Sequence, residues 1–166
     1  LSFDQAEELK RGKPVGDYVN AIVSNRRIAD GQLKAREWAK TFDAVEKNFQ
    51  VDRWVLLSLW GMESDFGAEK DRWDVFRSLA TLGYVKYRHP YFRNELLVAM
   101  RIMQDGRIAR EKMVSSWAGA MGQPQFMPSS YLKHAQDFDA DGRRDIWSSV
   151  PDVLASIASY LRAYGW

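Results

Sequence analysis

Apolar residues recur along this chain at intervals of three and four, interrupted by glycines and by residues able to cap a helix. That recurrence predicts helices over residues 3–10, 15–25, 30–49, 52–64, 72–83, 90–105, 110–117, 125–136 and 150–163. Leu96, Leu97, Met100 and Met103 predict a buried helical stripe, and Ile157, Tyr160, Leu161 and Tyr164 repeat the pattern near the end. Gly67, Gly83, Gly106 and Gly165 stand where helices should stop. No stretch alternates apolar and polar residues long enough to predict a sheet, and no repeat or low-complexity linker divides the chain. The pattern predicts an all-α domain over residues 1–166, with one short irregular excursion at most.

The segment from Trp54 to Gly67, WVLLSLWGMESDFG, is mostly apolar yet carries Glu63 near its end. Asp52 can cap a helix beginning at Arg53, and Gly67 can end it. On that helix Leu56, Leu59, Trp60 and Glu63 share one face, so the carboxylate is aligned with the apolar stripe. Burial disfavours the charged form and raises a carboxylate pKa. A glutamate that keeps its proton near neutrality can protonate a leaving oxygen, as glycosidic cleavage requires. The alternatives are an ion pair with an arginine, or a helix end emerging into solvent. Asp65, two residues on, points well away from Glu63 and supplies no catalytic partner.

Composition narrows the field. The 166 residues carry a net charge of +2, too mild for a nucleic-acid partner. There is no cysteine, so disulfides and thiolate metal sites are excluded. No apolar run approaches a membrane span. No signal peptide precedes Leu1, and a first residue other than Met is the expectation for a processed or cut chain. The seven tryptophans are scattered, and most are expected in the core. His89 and His134, the only histidines, lack zinc-ligand spacing.

The segment from Ser115 to Tyr131, SSWAGAMGQPQFMPSSY, combines small residues, Gly122 and two prolines in a way that suits a tight turn leading into a helix. Together with GMESDFG at Gly61 to Gly67, and YFRNEL at Tyr91 to Leu96, it resembles the lytic murein transglycosylase B family of bacterial cell-wall enzymes. The acidic DFDADG loop and the closing ASYLRAYGW follow in that family's order, and the resemblance covers about nine-tenths of the chain, being weakest before Lys34.

The resemblance implies a lysozyme-like helical fold and cleavage of the β-1,4 bond between N-acetylmuramic acid and N-acetylglucosamine. It implies that Glu63 is the single catalytic acid and then base, with the muramic C6 hydroxyl attacking C1 to give a 1,6-anhydro ring. By motif position Ser116 and Gln125 resemble residues that contact the N-acetyl group or orient the glutamate. Arg88 resembles one of a basic pair, and Tyr160 a cleft tyrosine. Tyr87 stands where the family often has a second arginine, Asp65 where many members have Asn, and family chains tend to continue past Trp166. No cofactor is implied for the chemistry; the implied partner is the peptidoglycan glycan strand, and the implied location is the periplasm or another exported position in the cell envelope. The alternatives are a muramidase hydrolysing the same bond, a noncatalytic wall-binding domain and, last, a calcium-responsive module.

That last alternative comes from DFDADGRRDIWS, Asp137 to Ser148, which matches the first part of an EF-hand loop. Asp137, Asp139 and Asp141 fall at positions 1, 3 and 5 and Gly142 at 6, followed by the backbone carbonyl of Arg143 and then Asp145 at 9. Ser148 replaces the bidentate glutamate at position 12, and Arg144 the usual apolar residue at 8. The expectation is a weakly held structural Ca²⁺, set against a metal-free Asp-rich turn eased by Arg143 and Arg144.

Overall fold

A computed structural model describes residues 14–106 and 108–166. The helix expected over 3–10 lies outside the described residues. Eight α-helices follow among them: α1 (Val15–Ile22), α2 (Asn25–Glu37), α3 (Ala39–Phe49), α4 (Arg53–Ser64), α5 (Val75–Tyr84), α6 (Tyr91–Gln104), α7 (Pro128–His134) and α8 (Val150–Ala163). The all-α expectation holds, with one small exception. Strands β1 (Trp73–Asp74) and β2 (Val114–Ser115) pair antiparallel, Trp73 opposite Ser115 and Asp74 opposite Val114.

Local chemistry explains most boundaries. Ser24 caps α2 by accepting from the Arg27 N–H, and Asp52 caps α4 by accepting from the Trp54 N–H at 2.8 Å. The single helix expected over 30–49 is two. The backbone leaves helical values at Trp38 (φ −106°, ψ 21°), whose side chain packs against the core. The helix expected over 110–117 is a 3₁₀ turn at Arg110–Lys112 followed by β2. There the Met113 carbonyl accepts from the Val75 N–H and the Val114 carbonyl from the Trp147 indole, so the segment is committed to long-range pairing. Helix α7 starts at Pro128, later than expected, because Met121 and Phe126 bridge each other just before it. Its first turn has no cap from Met127; Glu95 of α6 supplies one, accepting from the Ser129 N–H (2.9 Å) and hydroxyl (2.6 Å).

That contact also corrects the stripe expected on α6. The buried face carries Phe92, Glu95, Ala99 and Ile102, whereas Leu97, Met100 and Met103 are exposed. Ala99 is small and fully buried, and Glu95 is buried as the α7 cap; neither registers as apolar bulk in the sequence. The tryptophans are corrected too, since only Trp60 is fully buried while Trp54, Trp73 and Trp166 are more than half exposed.

Two apolar clusters form the interior. Phe42, Val45, Val51, Leu56, Leu57 and Trp60 meet Val153, Leu154 and Ile157 of α8 in the first. Val75, Leu79, Phe92, Ile102, Met113, Met121, Phe126 and Ile146 form the second. Tyr160 of α8 packs against the second cluster, so α8 touches both. The pocket described next opens between the end of α4, which belongs to the first, and the 115–126 segment, which belongs to the second.

Candidate active site

Glu63 sits in the last turn of α4, after Leu56 and Trp60 on the face that faces the core. The helix is stopped by three consecutive residues at positive φ: Asp65 (50°), Phe66 (57°) and Gly67 (80°). The stop therefore begins two residues before the glycine expected to make it. The turn folds Phe66 back under α4, where its ring meets Trp60 edge-on at 5.5 Å between centroids. Gly61 makes room for that ring, since a Cβ there would lie 2.6 Å from Phe66 Cζ. Gly67 makes room in turn for Gln123, whose Oε1 a Cβ would meet at 2.5 Å. Gln123 accepts from the Trp60 indole at 2.6 Å and donates to the Trp147 carbonyl at 2.9 Å, bolting α4 to the second cluster. The glycines and aromatics of GMESDFG thus fix the helix end that carries Glu63.

The Glu63 carboxylate is half-buried, and burial pushes its pKa above the ordinary value. Among the described residues no ion-pair partner and no hydrogen-bond donor reaches it. Asp65 is treated oppositely. Burial would raise it, but hydrogen bonds and charge from Arg26 and Arg27 of α2 outweigh that and hold it low. Asp65 is an anchor for α2 and does not line the pocket that Glu63 lines.

The segment after β2 forms the facing wall. The Ser116 N–H donates to the Ala120 carbonyl, and the Ser116 hydroxyl oxygen accepts from the Ala120 N–H. Gly119 (φ 84°) closes this turn against Leu79, which a Cβ would meet at 2.4 Å. Gly122 presses on the Ile146 carbonyl almost as closely, 2.6 Å from where its Cβ would be. Gln125 is held at φ 51°. Its amide nitrogen donates to Asp71 Oδ1 at 3.1 Å and to the Gly122 carbonyl at 2.9 Å.

Glu63, Ser116 and Gln125, which sequence reasoning grouped, line one pocket together with Asp71, Trp73, Trp117, Glu69, Lys70 and Arg72. Arg88 and Tyr160 do not line it. Arg88 is exposed, its guanidinium 5.5 Å from the Tyr87 ring. Tyr160 stacks among Phe126 (5.4 Å), His134 (5.3 Å) and Tyr164 (4.7 Å). Phe126 adjoins Gln125 in the chain, which sets this aromatic group beside the pocket rather than in it. Sequence reasoning missed Asp71, Trp73 and Trp117. Half-buried Asp71 is pushed up to about 6, because burial outweighs the bonds from Gln125 and Gly122. No local pattern marks Asp71 and Trp73, which reach the pocket through pairing with Gly122, Gln125 and Ser115, distant in sequence; Trp117 follows Ser116 directly.

The acidic loop joins α7 to α8. The carboxylate oxygens that come together are those of Asp137, Asp139 and Asp152, within 4.8 Å of one another. Of the expected set, Asp141 and Asp145 stand outside this group, and Asp152, which was not expected, joins it. Asp141 accepts from the Arg143 N–H; Asp145 accepts from the Trp147 and Ser148 N–H groups and from the Ser148 hydroxyl. Fully buried Asp152 accepts from the Phe138 (2.7 Å), Asp139 (3.4 Å) and Asp145 (2.8 Å) N–H groups. A side chain of the following helix completes the cluster because the loop folds back over the α8 N-terminus, where Ser149 hydrogen-bonds Asp139.

Comparison with known proteins agrees with this fold. The transglycosylase SLT domain family matches residues 2–166. Membrane-bound lytic murein transglycosylase B of Escherichia coli K12 is 34% identical over 133 residues, covering 78% of this chain and 37% of the relative. SltB3 of Pseudomonas aeruginosa, solved in complex with NAG-NAM-pentapeptide and with NAG-anhNAM-pentapeptide, superposes with a TM-score of 0.89 at 42% identity, covering 93% of this chain and 41% of that one. Escherichia coli Slt35 in complex with calcium superposes at 0.82 with 25% identity, covering 98% and 53%. The chain thus spans well under two thirds of the length of these relatives. Among the described residues no helix is long and apolar enough to cross a membrane. Fold and sequence agree that the chain belongs to the transglycosylase SLT domain family.

Proposed function

We propose that residues 1–166 form one catalytic domain that cleaves the β-1,4 bond between N-acetylmuramic acid and N-acetylglucosamine in peptidoglycan, leaving a 1,6-anhydromuramic end. The observation that carries this reading is Glu63, half-buried with a raised pKa and facing Ser116 and Gln125 across a pocket. Protonated Glu63 gives its proton to the glycosidic oxygen as the bond to muramic C1 breaks. The resulting carboxylate takes the proton of the muramic C6 hydroxyl, whose oxygen closes on C1. The nucleophile is tethered to the substrate, so no second carboxylate has to activate a water. Ser116, its hydroxyl oxygen fixed by the Ala120 N–H, and Gln125 hold polar groups of the sugar beside the glutamate. The SltB3 complexes with muramyl and anhydromuramyl peptides support this choice of substrate and product. Such a substrate places the enzyme in the cell envelope, on the periplasmic side where glycan strands lie. Tyr160 belongs to the aromatic group beside the pocket and Arg88 packs on the Tyr87 ring, both suited to sugar units further along the strand.

The cluster of Asp137, Asp139 and Asp152 fits a structural Ca²⁺, for it offers three convergent hard oxygens and one of its members is fully buried. The Slt35 complex with calcium supports the same reading. The ion would neutralise like charges and tie the loop to α8, with no part in the chemistry.

Digestion of purified peptidoglycan followed by mass spectrometry tests the function. Anhydromuropeptides are expected; reducing ends alone would replace the reading with a muramidase, and bound glycan without products would replace it with a wall-binding domain.

A further inference from the structure

Asp71 is the second half-buried carboxylate lining the pocket, and nothing in the mechanism above uses it. It lies on the extended stretch between α4 and β1, opposite the 121–126 turn. Its Oδ2 accepts from the Gly122 N–H at 2.7 Å and its Oδ1 from the Gln125 amide at 3.1 Å. With both oxygens engaged it is a poor nucleophile, but it is well placed to orient what it holds.

What it holds is an amide with two faces. The Gln125 nitrogen has two protons, and they go to Asp71 and to the Gly122 carbonyl. An ionised carboxylate and a carbonyl can only accept, so both contacts require the nitrogen at that end and fix the amide against a flip. Among the described residues no donor reaches Gln125 Oε1. Its lone pairs are left for whatever occupies the pocket. Gln123, two residues earlier, shows the contrast: its oxygen and its nitrogen are both used within the protein.

We propose that Asp71 is a positioning residue that sets the hydrogen-bonding polarity of the pocket, locking Gln125 so that it offers an acceptor, and no donor, to the substrate beside Glu63. The group taken there is a donor, either the N–H of an acetamido substituent or a sugar hydroxyl. This rests on the reading that the glycan is cleaved in this pocket, and it adds a specificity element on a residue outside the motifs. Protonation of Asp71 relaxes the lock, because a carboxylic acid can donate to Gln125 Oε1 and let the amide turn. Burial brings that protonation to about pH 6. The charged groups sharing the pocket are Glu63, Glu69, Lys70 and Arg72.

The Gln125 side-chain amide can be followed by ¹⁵N–¹H NMR in the ligand-free protein, assigned by its loss in Gln125→Met. In the wild type both proton resonances are expected to titrate together near the Asp71 value, and in Asp71→Asn the titration is expected to vanish with the shifts displaced. Resonances indifferent to pH in the wild type would overturn the lock, a result that does not depend on any Asp71 variant folding. On peptidoglycan fragments Asp71→Asn should raise KM on the order of tenfold or more, with a smaller change in kcat. Asp71→Glu, which keeps the accepting oxygens, should recover part of it. Unchanged KM and kcat in Asp71→Asn would overturn the role in specificity. Failure of the wild type to release anhydromuropeptides would defeat the functional reading alone, since the NMR result is independent of activity.

Discussion

The acidic loop at residues 137–149 and the pocket around Glu63 both take carboxylates out of water, and they treat them in opposite ways. In the loop the carboxylates are met by donors. Asp152 accepts three backbone N–H groups, Asp145 accepts from Trp147 and Ser148, and Asp137 accepts from the Gly142 N–H. At Asp145 burial alone would raise the pKa, but the bonds from Ser148 and Trp147 prevail and lower it, whereas at Asp152 burial, with the charge of Asp139, outweighs the three N–H bonds and leaves it raised. In the pocket Glu63 is half-buried with no donor among the described residues, and burial raises its pKa unopposed by them. Asp71 lies between these cases, holding two bonds that fall short of its desolvation. Donors saturate a carboxylate that holds backbone in place, whereas Glu63, the proposed proton donor, is left without them among the described residues.

The comparison breaks most sharply at Glu63. Glu63→Gln keeps the shape of the side chain and removes the titrating proton. Turnover should fall by roughly 10³-fold or more, with a melting temperature close to that of the wild type. A variant that retained most of the activity would place the catalyst elsewhere. Next in size is Asp152→Ala, which takes the acceptor away from three part-buried N–H groups. Urea unfolding should show a loss of roughly 3 kcal/mol. Added Ca²⁺ should raise the melting temperature of the wild type and leave this variant unchanged. No response of the wild type would make the Asp137–Asp139–Asp152 group a metal-free turn.

The smallest effect sharpens the contrast through pH. The folded pKa values of Asp65 and Asp145 are depressed, so their stabilisation is present above the ordinary carboxylate range and is lost as pH falls through the folded values. The folded value of Asp71 is raised, so its contribution is present below the unfolded pKa and is lost as pH rises through about 6. Stability should therefore fall as pH rises from about 4 to about 6, and Asp71→Asn should lessen that slope, the raised Glu63 and Asp152 keeping part of it. Equal slopes in the two proteins would contradict the assignment.

How far the sequence could be read follows from the reach of each signal. The α4 face with Leu56, Trp60 and Glu63, and the cap at Asp52, depend on neighbours within two turns and were legible. Grouping Glu63 with Ser116 and Gln125 came from resemblance; the pocket now gives a spatial account of it. Asp71 was invisible because its role comes from Gly122 and Gln125, some fifty positions away. Asp152 was missed because the loop template ends before it, and the buried face of α6 was misplaced because Glu95 serves another helix. Apolar periodicity reports bulk, and these residues act through donors and acceptors.

The central claim is that one carboxylate suffices because the substrate supplies its own nucleophile. Digestion in H₂¹⁸O tests it most directly. If the muramic C6 oxygen closes on C1, the new muramic end should carry no ¹⁸O and should lack the mass of one water. A muramic end bearing ¹⁸O at C1 would show that water attacks, and would contradict the account.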